Sequence, residues 1–265
     1  REPKPAVLMY ERQQQSLVLC HARDGLVLWQ QQLEHEPIGT PILHGGQAYL
    51  TTRGGRLVRF DLLSGKISTE ISFPQELAAA PVLSPDGETL LVSGMRGLVY
   101  SLSTHPLSCQ GVTFTDHAEG SVRVPLLAMG RLFLLCDHDQ PESTRLRVFR
   151  EVDPAQPLVE ESSVRIRGGV YDVPVLRGAQ LVVPSQGERL AAFTVDDEPN
   201  RTALSPIGEY RVRGIKTNLP FHRRVLQNAA FIAGDYDTSF IERHSMTNAS
   251  SVPFDKADPL AAANR

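Results

Sequence analysis

Apolar residues run along this chain in short bursts rich in Val, Leu and aromatics, each bounded by Gly, Asp, Asn or Ser. That pattern predicts strands joined by tight turns, because a helix would repeat its apolar positions about every 3.6 residues over a longer stretch. The segment after Thr40 shows it fully. Strands are predicted at Pro41–Leu43, Gln47–Thr52, Arg56–Asp61 and Lys66–Ser72. Gly45-Gly46, Arg53-Gly54-Gly55 and Leu63-Ser64-Gly65 form the turns, where glycine takes up positive φ at no steric cost.

The four-strand pattern recurs. A proline followed by apolar residues opens each copy, at Pro41, Pro81, Pro125, Pro174 and Pro220, with intervals of 40, 44, 49 and 46 residues. A Gly turn follows most of them, and then a second apolar run: Ala48–Leu50, Leu90–Val92, Leu132–Leu135 and Leu181–Val183. The last copy offers Ala229–Ala233 as that second run but lacks the glycine. The first two copies register without a gap, Leu17 to Gly25 falling on Leu57 to Gly65 at an offset of 40. Each of these glycines precedes a fourth-strand candidate, Leu26–Leu33 or Lys66–Phe73. Proline opens the first strand, where a missing N–H does little harm.

A lone four-stranded sheet of this size cannot bury both faces, whereas copies arranged around an axis cover one another. The predicted fold class is therefore all-β: a β-propeller of four-stranded, WD40-like blades, about six to seven of them, or a fragment of a larger propeller. Blades are expected over residues 1–36, 37–76, 77–117, 118–167, 168–214 and 215–245. The first is entered near its second strand, so ring closure needs a strand from elsewhere. Residues 246–265 are expected to form a tail or closing strand.

Composition narrows the function classes. A net charge of −3 and a pI near 6.3 argue against a nucleic-acid partner, which selects a basic face. No apolar run approaches the ~20 residues of a membrane span. The opening Arg1-Glu2-Pro3-Lys4-Pro5 is not a signal peptide and carries no Met, which suggests a processed form or part of a larger multidomain chain. Cys20, Cys109 and Cys136 are odd in number and far apart, so they are expected as small buried hydrophobes and not as a disulfide framework. Asn248-Ala249-Ser250 fits a glycosylation sequon, a match frequent by chance.

Taken together, Thr40-Pro41-Ile42, Gly55-Arg56-Leu57-Val58 and Asp61-Leu62-Leu63-Ser64-Gly65-Lys66 resemble the blade signature of the quinoprotein-like (PQQ-like) repeat propellers. Ala22 to Trp29 resembles a shortened form of that family's tryptophan-docking motif, with Gly25 at its turn. The resemblance is good over residues 5–105, weaker over 118–195 and faint beyond 215. It implies two branches. The quinoprotein dehydrogenases hold PQQ and calcium over a Trp floor beside a vicinal disulfide. This chain has a single Trp and no adjacent cysteine pair, so no catalytic residue, cofactor or metal ligand is carried over. The departures favour the other branch, non-catalytic and similar to the outer-membrane assembly lipoprotein BamB. A protein or peptide ligand on a propeller face and a periplasmic or extracytoplasmic home follow from that resemblance. A degenerate or active quinoprotein domain and a glycan-active propeller enzyme with paired acids near the axis are the alternatives.

Few constellations carry chemistry of their own. Asp137, His138 and Asp139 suit a divalent ion as residue types, yet the expected reading is a polar loop. Gly234-Asp235-Tyr236-Asp237 lacks the later acids of a calcium loop and reads as a turn, and Asp116-His117 reads as a surface turn. Arg165 with Arg167, and Arg211 with Arg213, each place two arginines on one strand face, as side chains at i and i+2 must be. They form the candidate patch for an acidic partner, or else edge charges that discourage strand pairing.

Overall fold

The computed structural model describes residues 5–153, 156–199 and 201–211, with scattered positions from 225 to 243. It divides into Arg1–Val212 and Arg213–Arg265. Among its described residues the first unit is all-β, with nineteen strands in five antiparallel sheets.

The second sheet matches the sequence pattern closely: β4 (Ile42–His44), β5 (Gln47–Thr52), β6 (Arg56–Asp61) and β7 (Ile67–Ser72), hydrogen-bonded in that order. The third runs β8 (Val82–Leu83), β9 (Thr89–Ser93), β10 (Leu98–Thr104) and β11 (Leu107–Phe114). The fourth holds β12 (Leu127–Met129), β13 (Leu132–Gln140), β14 (Ser143–Arg150) and β15 (Val159–Arg167). The fifth holds β16 (Val175–Arg177), β17 (Gln180–Ser185), β18 (Arg189–Val195) and β19 (Leu204–Arg211). Among the described residues the first sheet has three strands, β1 (Ala6–Glu11), β2 (Ser16–His21) and β3 (Val27–Gln32), the counterparts of strands two to four elsewhere. Pro41, Pro81 and Pro174 each directly precede a short first strand, and Pro125 stands two residues before β12. Pro220 lies outside the described residues.

Strand alternation sends one side chain in two to each face of a sheet, so every sheet has two apolar faces to cover. Four clusters do this between consecutive sheets. Leu17, Leu50, Val58 and Phe60 join the first sheet to the second. Tyr49, Leu57, Leu90 and Leu102 join the second to the third. Leu91, Phe133, Leu135 and Phe149 join the third to the fourth, and Leu134, Val148, Leu181 and Phe193 the fourth to the fifth. The core is thus a series of slabs, one per pair of sheets.

Trp29 ties the outer edges of two sheets, as its docking-motif resemblance implies. Its Nε1 donates to the Leu62 carbonyl at 2.8 Å. Its ring lies over Gly65, where φ is +70° and a Cβ would fall 2.5 Å from the indole. Only glycine admits both the turn and the ring. Trp29→Ala is expected to lower the unfolding free energy by about 2 kcal/mol, the worth of a half-buried aromatic contact with its hydrogen bond. Urea titration followed by far-UV circular dichroism measures it, and an unchanged midpoint would refute the docking role.

Several expectations are corrected. Ala229–Ile232, read as a second strand, is a short helical turn, and Phe240–Arg243 is another. Asn228 caps the first, its Oδ1 accepting from the Ala230 N–H at 2.9 Å, so an N-cap outweighed the apolar run. Cys136 to Asp139 belongs to β13 and not to a loop, because the β13–β14 hairpin extends further than in the other sheets. Cys20 and Cys136 are buried, but Cys109 is exposed on β11, the outermost strand of its sheet. Asp235 and Tyr236 of the turn at Gly234 lie outside the described residues.

Candidate binding face

Each sheet ends on one side in the hairpin between its second and third strands. The connection from each fourth strand to the next first strand arrives at that same end. The two are stitched together. Glu76 accepts from the Gly54 N–H at 2.9 Å, Gln75 Oε1 from the Arg96 N–H at 2.8 Å, and the Glu142 carbonyl from the Gly168 N–H at 2.7 Å. This gives a face of short, tied loops on a stiff β scaffold, the usual setting for recognition.

Cations on this face are mostly answered by carboxylates. Glu36 sits between Arg12 at 3.0 Å and Arg53 at 3.2 Å, whose hydrogen bonds hold its carboxyl below the ordinary range. Arg96 meets Glu119 at 2.6 Å, and Arg165 meets Asp139 at 2.5 Å. Arg123 is different. Its Nη1 donates to the Tyr171 hydroxyl at 3.0 Å, and its guanidinium stands 5.1 Å from the centre of that ring. The edge of His138 meets Tyr171 at 5.2 Å, while His138 Nε2 lies 2.7 Å from the Val170 carbonyl. Tyr171 and Val173 remain about half exposed, at 47% and 48%. An arginine stacked on an accessible tyrosine beside apolar surface is the composition that dominates protein interfaces.

Beneath the loops lies a buried polar network. Arg147 on β14 donates to both oxygens of Glu160 and to the Thr115 carbonyl of the preceding connection, and stands 3.9 Å from Asp137. Asp137 is buried and its Oδ1 has no hydrogen-bond partner among the described residues. His117, expected on a surface turn, is 3% exposed. It holds the Thr115 hydroxyl at 2.7 Å on Nδ1 and the Gly94 carbonyl at 3.0 Å on Nε2.

Burial holds the His117 imidazole below its ordinary value of 6.5, with Asp137 and Arg147 as the facing charges. The unfolded chain therefore takes up this proton at a higher pH than the folded chain. The sign follows: the His117 contribution is full above pH 6.5, declines as pH falls below it, and levels off once the folded-state ring is protonated. His138 is lowered in the same direction, chiefly by burial. His117→Gln is expected to reduce the loss of Tm between about pH 7.5 and about pH 5.5. A wild-type slope in the variant would exclude His117 as its source.

The structure disperses the sequence-predicted residues. Asp137, His138 and Asp139 point to Arg147, Val170 and Arg165 respectively, three separate partners. No group of three or more His, Cys, Asp or Glu that could hold a metal occurs among the described residues. Cys136 is sealed in the core, its thiol pushed up to about 12 by burial. Arg165 and Arg167 share a β15 face, but Arg165 is already paired with Asp139. Arg211 stands opposite Arg189 at the end of β19, and Arg213 lies outside the described residues. Sequence reasoning missed Arg123 and Tyr171. Each lies within three residues of a repeat proline, which places it on this face once the repeat is known.

Comparison with known proteins separates fold from chemistry. No family model matches the chain. Among solved structures, BamB from Moraxella catarrhalis overlays with a TM-score of 0.56 at 14% identity, covering 77% of this chain and 57% of that one. The WD40 domain of Toxoplasma gondii coronin gives 0.61 at 10% identity over 78% and 55%. The dihydro-heme d1 dehydrogenase NirN gives 0.59 at 15% over 80% and 45%. The fold is a BamB-like β-propeller fold, and the chain spans about half the length of these three proteins. Proteins with names as different as BamB, coronin and a dehydrogenase share this fold, so the fold alone does not decide function. Curated sequences give a different and shorter likeness. Mouse mitochondrial pyruvate carboxylase is 30% identical over 109 residues, 40% of this chain and 8% of the enzyme. Pyruvate carboxylase of Bacillus subtilis is 56% identical over 34 residues, 13% of this chain and 3% of the enzyme. The chain thus spans less than a tenth of those enzymes. No helix among the described residues is long and apolar enough to cross a membrane.

Proposed function

We propose that this chain is a non-catalytic propeller scaffold that binds a protein or peptide on its face of tied loops, in an extracytoplasmic, BamB-like setting. The single observation that carries the reading is Arg123 stacked on the half-exposed Tyr171, the one cation described above on that face that meets an aromatic ring instead of a carboxylate. Such a pair offers a partner a flat aromatic contact and a guanidinium, held by the Gly120 carbonyl and the Tyr171 hydroxyl, that meets no carboxylate of its own among the described residues. Arg167, one residue before Gly168, extends the cationic edge that sequence reasoning selected. A photo-crosslinking residue at position 171 tests the reading. It is expected to capture a discrete protein from extracytoplasmic extract, and the same label at Leu63, on the opposite face, is expected to capture none. Equal labelling from both positions sinks the proposal. PQQ with calcium, added to the pure chain, is expected to change neither Tm nor the quinone absorbance. A shift in both would favour the quinoprotein alternative.

A further inference from the structure

At the end opposite the loop face, the turn between the third and fourth strands of a sheet carries aliphatic side chains into solvent. On the first two sheets these gather into one edge. Leu26 is 59% exposed, and Val27 and Leu28 follow it into β3 as exposed residues. Leu63, on the matching turn of the second sheet, is 93% exposed, and Ile67 opens β7 beside it. Trp29 holds the two turns together, its ring over Gly65 and its Nε1 donating to the Leu62 carbonyl at 2.8 Å. The openness belongs to these positions and not to a place in the row of sheets. Val27 pairs with Cys20 as Ile67 pairs with Phe60, and Leu26 stands against His21 as Val159 stands against Arg150. The second and fourth sheets have a packed neighbour on both sides, yet Ile67 and Val159 are still 44% and 51% exposed.

We propose that this edge docks on the surface of an anionic phospholipid bilayer. Its shape and chemistry select that occupant. The patch is aliphatic and led by a leucine at the tip of a tight turn. Protein interfaces concentrate aromatic residues and arginine on closely fitted surface, whereas a protruding leucine gains most by entering the boundary between headgroups and acyl chains. Charge agrees. Arg23 and Lys66 flank the patch, are exposed, and make no ion pair among the described residues. The nearby carboxylates turn back onto their own loops. Asp24 Oδ1 accepts from the Leu26 N–H at 3.1 Å, and Asp61 Oδ1 accepts from the Ser64 N–H at 2.8 Å and the Ser64 hydroxyl at 2.7 Å. The outward charges are thus cations, suited to lipid phosphates while the leucines reach deeper. At the same end of the third and fourth sheets stand Asp86, Glu88 and Glu151, which an anionic surface repels, so contact is confined to the first two sheets. This inference is independent of the loop-face reading, because it uses the opposite end and points the loop face away from the bilayer.

Trp29 is the single tryptophan of the chain and lies on this edge, so its emission reads the contact directly. The test mixes the intact chain with phosphatidylcholine vesicles, with and without phosphatidylglycerol, some carrying brominated acyl chains. The wild type is expected to sediment with the phosphatidylglycerol vesicles, and the brominated chains are expected to quench Trp29. Leu63→Asp is expected to bind at least about tenfold more weakly, with the far-UV spectrum and unfolding midpoint of the wild type. Arg23→Glu combined with Lys66→Glu is expected to lose the preference for phosphatidylglycerol, as the wild type does when salt is raised. If Leu63→Asp misfolds, Leu26→Asp reads the same edge. A wild type that stays in the supernatant, sedimentation without quenching of Trp29, or a Leu63→Asp variant that binds like the wild type overturns the proposal. A discrete protein captured by photo-crosslinking from position 63 would assign the edge to a protein and overturn it too.

Discussion

Arg147→Ala is expected to destabilise the propeller by about 3–5 kcal/mol, because it strands a buried carboxylate. Side chains of Arg147 and Asp137 are 8% and 6% exposed, with Arg147 Nη1 3.9 Å from Asp137 Oδ2, and Asp137 Oδ1 has no hydrogen bond among the described residues to compensate. The guanidinium also satisfies the Thr115 carbonyl, so its loss frees a second buried acceptor and unties the third sheet's connection from the fourth sheet. Its stacking over Phe149, 5.2 Å away, goes as well. The cost belongs largely to the unpaired charge, and this can be separated. Asp137→Asn in the Arg147→Ala background is expected to recover at least about 1 kcal/mol, a positive coupling that two independent sites would not show. Denaturant unfolding of the two single variants and the double variant gives the cycle. Strict additivity would place the cost in lost packing instead.

How much of this was legible beforehand depends on which residues carry the information. Strand positions in the second sheet could be read to within a residue because turn chemistry bounds them: the turns at Gly54, Gly55 and Gly65 require positive φ, and all three adopt it. Trp29 was legible as a docking residue from the motif Ala22 to Trp29, but its seat over Gly65 of the next sheet was not. Beyond the fifth sheet, the proline and the apolar run at Ala229 imitate the repeat, but a glycine turn is missing and Asn228 supplies a helix cap. The site was less legible. Arg123 and Tyr171 lie 48 residues apart and meet only because consecutive inter-sheet connections are neighbours in space. His117 looked like a turn residue because it ends a blade shortly before Gly120, and Asp116 beside it does adopt positive φ, at 53°. Which way the next side chain then points is decided by the packing of two sheets, and no local pattern encodes it. Arg147 illustrates the same limit, since alternation assigns it to an inter-sheet face where an apolar residue is the rule.

Phe133→Ala is expected to cost about 3–5 kcal/mol, the usual range for a fully buried phenylalanine. Phe133 is completely buried, packed among Leu91, Val99, Leu126 and Phe149 in the slab between the third and fourth sheets. Sheets fixed at both edges by hydrogen-bonded strands cannot collapse onto the space it leaves, so the cavity persists. Leu63→Ala, at a turn residue 93% exposed, provides the control and is expected to fall within about 0.5 kcal/mol of wild type. The slab architecture makes a further demand on where the loss is felt. Each sheet is stabilised by its two neighbours, so the array behaves as a row of coupled units. Hydrogen exchange in Phe133→Ala is expected to quicken most in β9, β10, β13 and β14, with β2 and β18 retaining more of their protection. Equal loss of protection in all five sheets would mean that the unit unfolds as one cooperative body, and the nearest-neighbour description of its core would have to be given up.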